Sequence, residues 1–384
     1  LLPFKDIKVL DFSQRLPGPY CTSILSDFGA EVTMIERADR VPESRRIFPG
    51  LFELLNRNKK SVTINLKTRE GQEIVEKLVK KYDVLVEGFR PGVAERIGIG
   101  YKKIKSLNPS MIYCSISGFG QNGPYKDRVG HDINYLSLSG VLSIPGQPEV
   151  PPSRPGIPIA DLASGIFAAI SIMGALRQKE CTGEGTWIDV SMFDLMVTWT
   201  GIRASNYLVH GKKFENEHLS PLNNLYETKD GSLISLGIIE QHFWENFCDS
   251  LGRKDLFNNP KFSTAENRKK HERELLEVLR DIIGQYTRDE LDKKIDPNKV
   301  PYAPLLEVEE VFNDPHVCSR EIVKEIEVPN LGKLSLMPFP VKFSGETSEI
   351  RRPPPEWGQH TEDILGELGY SMENIGKLKE RKVV

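Results

Sequence analysis

Short β-branched and apolar runs alternate with helical patterns through the first part of the chain. Ile7-Lys-Val-Leu-Asp-Phe reads as a strand, Tyr20 to Phe28 as a helix and Val32-Thr-Met-Ile-Glu as a second strand, which opens a βαβ unit. Glu70 to Lys81 carries a helical pattern, and Asp83-Val-Leu-Val-Glu and Met111-Ile-Tyr-Cys-Ser-Ile read as buried strands. Strands that alternate with helices predict a parallel sheet covered on both faces, a doubly wound, Rossmann-like α/β architecture. A proline-rich stretch follows Pro151, then a helix of small and apolar residues from Ser164 to Leu176, then Gly183-Glu-Gly-Thr-Trp-Ile-Asp-Val leading into another strand.

Around Leu225 the pattern changes. Leu225-Tyr-Glu-Thr-Lys-Asp-Gly-Ser-Leu-Ile-Ser-Leu-Gly predicts two short antiparallel strands about a Lys-Asp-Gly turn, the start of a smaller domain. Helical patterns follow at His242 to Leu251, Glu272 to Tyr286 and Glu307 to Phe312. No internal repeat is visible.

Composition narrows the chemistry. A chain of 384 residues, 39% of them hydrophobic, is too long for one compact unit. Its net charge of -3 gives no electrostatic reason to expect nucleic-acid binding. The apolar run Ile166 to Leu176 is too short for a membrane span, and no signal-peptide or peroxisomal pattern is seen, so a cytoplasmic location is expected. Five isolated cysteines without C-x-x-C spacing argue against a disulfide framework or a zinc site, so no metal is expected. The first strand runs into Arg15-Leu-Pro-Gly-Pro-Tyr with one glycine, where G-x-G-x-x-G would be needed to cradle a pyrophosphate, so NAD is not expected.

Three ionisable residues stand where loops meet expected helix starts: His131, Asp161 and Glu240. Helix N-termini carry partial positive charge and free N–H groups that suit carboxylates and developing oxyanions. The same positions are also ordinary capping sites, and both readings stand on position alone. Arg37, Lys59, Lys60, Arg90 and Arg96 lie at strand ends or in loops, where they could grip a nucleotide's phosphates or be plain surface charge.

Several stretches together resemble the superfamily of family III CoA-transferases (CaiB/BaiF) and α-methylacyl-CoA racemases across essentially the whole chain. They are Val9-Leu-Asp-Phe-Ser with Pro17-Gly-Pro, Asp27-Phe-Gly-Ala-Glu-Val, Asn56-Arg-Asn-Lys-Lys-Ser, Asp83-Val-Leu-Val-Glu-Gly-Phe-Arg-Pro-Gly, Ser117-Gly-Phe-Gly-Gln, Thr182-Gly-Glu-Gly, Asp314-Pro-His-Val and Gly358-Gln-His-Thr-Glu-Asp-Ile-Leu. Within the superfamily, Gly130-His-Asp-Ile-Asn-Tyr, Leu138-Ser-Gly and Gly237-Ile-Ile-Glu are similar to the racemase branch, because transferases typically carry an aromatic residue where His131 stands.

That branch implies an isomerase that interconverts (R)- and (S)-2-methylacyl-CoA through an enolate. His131 and Asp161 would then be the acid/base pair and Glu240 the partner of His131. The resemblance also implies CoA binding by Arg37, Thr63, Ile64, Asn65, Leu66, Glu87, Gly88, Phe89, Arg90 and Arg96, and ligand contacts at Gly130, Asp132, Asn134 and Tyr135. It implies no separate cofactor, since coenzyme A belongs to the substrate. It further implies an interlocked homodimer, with a large domain at residues 1–200, a linker at 201–224, a small domain at 225–325 and a return to the large domain at 326–384. The methionines that can line a racemase's acyl path are sparse, with Met173, Met192 and Met196 the nearest candidates. Two alternatives stand beside this expectation: a CoA-transferase with Asp161 as nucleophile, and a CoA-binding protein that keeps the fold without the activity.

Overall fold

The computed structural model describes residues 2–151, 153–328, 331–346 and 348–384. The chain divides into two units. The first comprises Leu1–Val141, Pro155–Arg203 and His316–Val384, and the second comprises Leu142–Arg154 and Ala204–Pro315. The architecture is mixed α/β, with a larger parallel-sheet unit and a smaller antiparallel-sheet unit.

The first unit is built on six parallel strands: β1 (Lys8–Asp11), β2 (Glu31–Glu36), β3 (Lys59–Thr63), β4 (Val84–Glu87), β5 (Ile112–Ser117) and β6 (Trp187–Ser191). Their spatial order is β3-β2-β1-β4-β5-β6, so the winding reverses between β1 and β4. Alternate side chains feed opposite cores: Leu10 and Leu85 point to one, Val9, Val84 and Val86 to the other. This two-sided burial is why these strands read as near-continuous apolar runs. The exception is β3, whose Lys-Lys-Ser-Val-Thr carries no such run and was not expected as a strand.

Helix α1 (Pro17–Asp27) packs against α8 (Ile159–Thr182) on one face. Between them lie α2 (Glu43–Ile47), α3 (Pro49–Asn56), α4 (Arg69–Val79), α5 (Val93–Arg96), α6 (Tyr101–Leu107) and α7 (Asp132–Leu138), and α9 (Met192–Arg203) follows β6. A Cβ at Gly165 would stand 2.8 Å from the Pro17 carbonyl oxygen and 3.0 Å from Tyr20 Cδ1, so only glycine lets α8 approach α1 this closely. That approach brings the start of α8 beside the loop after β1.

Helix α8 is longer than its sequence pattern suggested, since it begins at Ile159 and ends where Gly183 adopts φ 74°. At 24 residues it is long and apolar enough to cross a membrane, which corrects the reading of this stretch as too short. Ala168, Ala169 and Ile172 lie in the core on the α1 side of the sheet, while Ile166, Phe167 and Ile170 are exposed. The C-terminal residues flank β3: Arg351 and Arg352 donate backbone N–H groups to Asn58 Oδ1 at 2.6 and 3.0 Å, and Thr361 Oγ1 accepts from the Thr63 N–H at 3.1 Å.

In the second unit β7 (Asn223–Glu227) and β8 (Leu233–Gly237) form an antiparallel hairpin extended by β9 (Tyr302–Pro304). Tyr226, Ile234 and Leu236 pack on Trp244, Phe247, Leu275 and Leu279 from the helices Gln241–Ser250 and Glu272–Ile283.

Candidate active site

In a doubly wound sheet the crevice opens at the carboxyl ends of the strands where the winding reverses. Three adjoining cavities of about 510, 270 and 330 Å³ occupy that place. Gln14, in the loop after β1, lines all three. Arg15, His131 and Asp161 line both the first and the second.

Asp161 owes its place to two consecutive helix starts. Asn134 Oδ1 accepts the His131 N–H at 3.0 Å and opens α7. The carboxylate of Asp132, the first residue of α7, then reaches to α8 and accepts the Ala160 and Asp161 N–H groups at 2.7 and 3.4 Å. A buried acidic cap satisfies orphan amides and favours the helix dipole. It also sets a negative charge beside Asp161. Burial first, and then the Asp132 charge, push the Asp161 carboxyl up to about 6, while Arg15 pulls it back. Tyr135 donates its hydroxyl to the Gly130 carbonyl at 2.7 Å and closes the turn.

The walls differ in character. The 510 Å³ chamber is faced by Met34, Ile35, Ile47, Leu51 and Phe52, and α2 and α3 close over it. Arg45 holds that cover down: it grips Glu36, at the end of β2, with Nε–Oε1 2.8 Å and Nη2–Oε2 2.7 Å, and its guanidinium lies 4.1 Å from the Phe52 ring centre. The 270 Å³ chamber is cationic, with Arg15, Arg90, Lys126 and Arg128 on its walls. The third contains Arg37, Ile64, Asn65, Leu66 and Phe89, and Arg37 is ion-paired to Asp39 (Nε–Oδ1 2.8 Å).

The residues expected at the site therefore separate. Gly88, Phe89, Arg90, Gly130, His131, Tyr135 and Asp161 line the second chamber, and Arg37, Ile64, Asn65 and Leu66 the third. Thr63 is bonded to Thr361, Arg96 is exposed on α5, and Asp132 and Asn134 cap helices. Glu87 is buried at the end of β4 and accepts the Phe89 N–H at 2.7 Å, and burial pushes its carboxyl up to about 7. Glu240 stands in the second unit, exposed, at the start of the helix Gln241–Ser250.

Lys59 and Lys60 are not phosphate ligands here. Lys59 is wholly buried, with Nζ 2.7 Å from Thr22 Oγ1, 2.9 Å from Asn56 Oδ1, 3.0 Å from the Pro19 carbonyl and 3.5 Å from Asp11 Oδ2, while Lys60 pairs with Glu31 at 2.8 Å. Burial pulls the Lys59 ammonium down to about 8. Asp11, held by this lysine, accepts the Ser13 N–H at 2.9 Å and so fixes the loop that carries Gln14 and Arg15. Sequence reasoning missed Arg15, Arg45 and this network; an ionisable residue ending each of β1 and β2, Asp11 and Glu36, was the available signal.

The sequence profile of CoA-transferase family III matches residues 4–361. The chain belongs to that family. Succinyl-CoA:glutarate CoA-transferase of Homo sapiens is 34% identical over 394 residues, covering 100% of this chain and 90% of that protein. Succinyl-CoA--D-citramalate CoA-transferase of Chloroflexus aurantiacus is 31% identical, covering 100% and 98%. The crystal structure of a CaiB/BaiF family protein from Brucella suis matches with a TM-score of 0.83 at 29% identity, over 95% of this chain and 99% of that one.

These relatives are CoA-transferases, and they overturn the expectation of an isomerase that racemises 2-methylacyl-CoA. The geometry gives the reason the sequence misled. Gly130-His-Asp-Ile-Asn-Tyr, taken as a proton-transfer signature, also has structural work to do in this family III member, because Asn134, Asp132 and Tyr135 start two helices and close the turn between them.

Proposed function

We propose that this family III protein transfers coenzyme A from an acyl-CoA to a carboxylate, with Asp161 as nucleophile. The observation that carries the reading is the half-buried Asp161 carboxyl at the junction of an apolar and a cationic chamber, raised to about 6 yet ionised at neutral pH. A partly desolvated carboxylate is a stronger nucleophile than a hydrated one.

The relay balances without a net proton. An Asp161 oxygen adds to the thioester carbonyl carbon, the C–S bond breaks, and CoA thiolate leaves a mixed anhydride. The thiolate then attacks the aspartyl carbonyl, releases the first acid as carboxylate and forms an aspartyl-CoA thioester. The second acid's carboxylate displaces the thiolate from that carbon, and the thiolate takes the new acyl group and restores Asp161. No carbon is deprotonated, so the relay assigns His131 no acid–base step.

The third chamber, with Arg37 and the Ile64 to Leu66 stretch, suits the adenosine end of CoA. Relatives named for succinyl-CoA, glutarate and D-citramalate make succinyl-CoA with a dicarboxylic acid the first pair to try. The resemblance adds an interlocked homodimer to this proposal, checked by sedimentation. Incubation with succinyl-CoA, quenching with hydroxylamine and mass spectrometry of the Asp161 peptide test the relay. An aspartyl hydroxamate that is absent without succinyl-CoA supports it, and acyl transfer without modification of Asp161 refutes it.

A further inference from the structure

Arg15 is unlike the other cations around the site. It adopts φ 70° although it is not glycine, a strained conformation that persists where surrounding structure imposes it. Arg15 stands between Ser13, whose N–H is tied to Asp11, and Pro17 at the start of α1. Like the side chains of Arg90, Lys126 and Arg128 in the cationic chamber, that of Arg15 makes no hydrogen bond or ion pair among the described residues, whereas Arg45 is bound to Glu36 and Arg37 to Asp39. Among the described residues it is the one lysine or arginine that lines the 510 Å³ chamber, where Asp11 and Glu36 are already engaged by Lys59 and Arg45, and it lines the cationic chamber as well.

An ionised Asp161 repels the free carboxylate of an incoming dicarboxylic acyl-CoA, so such an acyl group needs a compensating cation near the site. A strained, unpaired arginine aimed into the same space meets that need, and its planar fork suits a carboxylate. We propose that Arg15 binds the second, non-reacting carboxylate of the acyl group, so that the enzyme selects dicarboxylic acids whose carbon chain lies against Ile35, Leu51 and Phe52. This inference rests on the transferase reading above. The nucleotide phosphates of CoA are separated from the reacting carbon by the pantetheine arm and would meet other cations.

The test compares acceptor acids of equal chain length, glutarate and valerate, with succinyl-CoA as donor in the full-length protein. Arg15→Asn keeps a residue that tolerates positive φ, and Arg15→Lys keeps the charge without the fork. In Arg15→Asn, kcat/KM for glutarate should fall about ten- to a hundredfold more than for valerate, mostly through KM, the range expected when a charge-assisted hydrogen bond is lost. Arg15→Lys should recover part of the difference. An unchanged glutarate-to-valerate ratio in Arg15→Asn, with melting temperature preserved, overturns the role of Arg15. A wild-type protein that forms no Asp161 hydroxamate and transfers CoA to neither acid overturns the transferase reading instead.

Discussion

Asp161 and Glu240 carry the same local signal, an acidic residue where a loop enters a helix, yet their surroundings have little in common. Asp161 lies within the first turn of a 24-residue helix, half-buried, beside the Asp132 carboxylate and facing Arg15. Glu240 precedes a 10-residue helix, is exposed, and caps no amide with its side chain. The difference lies in what packs against each helix start, not in the start itself. Chemistry needs a carboxylate whose hydration has been partly replaced, and only long-range packing can do that.

The comparison breaks most readily at Asp161. Asp161→Asn should lower CoA transfer by about a thousandfold or more, because an amide cannot form the anhydride, and a coupled assay of new acyl-CoA reads this directly. Retention of more than a tenth of wild-type activity would remove Asp161 from the mechanism.

The same substitution has an opposite effect on stability. The Asp161 carboxyl is raised from 3.8 to about 6 in the folded protein, so the folded state holds the proton more tightly than the unfolded chain does. Stability therefore falls as pH rises between those values, and above about 6 the full penalty is present. Asp161→Asn should be the more stable protein at pH 8, by at most about 3 kcal/mol, and the advantage should vanish in acid. Urea melts at several pH values would show it.

Asp132→Asn sharpens the comparison from the other side. It removes the neighbouring negative charge while an amide oxygen can still cap the α8 amides, so the Asp161 carboxyl should fall below 6. The pH–rate profile of transfer, rising as Asp161 ionises, should shift its midpoint to lower pH in this variant and to higher pH in Arg15→Asn. A midpoint that moves in the same direction in both would break the electrostatic account.

Glu240→Gln should do least. With no cap to lose and an exposed side chain, the melting temperature should stay within about 2 °C of wild type. Activity should fall far less than in Asp161→Asn. A loss of transfer comparable to that of Asp161→Asn would place Glu240 in the reaction beside Asp161.

Much of this organisation was readable without coordinates, because it is local. The apolar runs at Val9–Leu10 and Val84–Val86 marked strands buried on both faces, and the Leu225 to Gly237 stretch marked its hairpin. Asp161 was legible as a candidate because a helix start can be seen in the chain. Its environment was not. Whether Lys59 meets a phosphate or the inside of the protein depends on Asp11, Thr22 and Asn56, which are between 3 and 48 residues away in sequence. The span of α8 depends on how Gly165 lets it lie against α1.

The sequence by itself therefore determined most of the strands, turns and helices, though not β3 or the first turn of α8, and, through motifs spread along the chain, the superfamily. These follow from side-chain pattern and backbone preference over a few residues. Tertiary structure alone decided which charges are buried, which are paired, and which, like Arg15, are left facing the chambers beside Asp161. Those outcomes are set by desolvation and by contacts between segments far apart in the chain, and no local pattern encodes them.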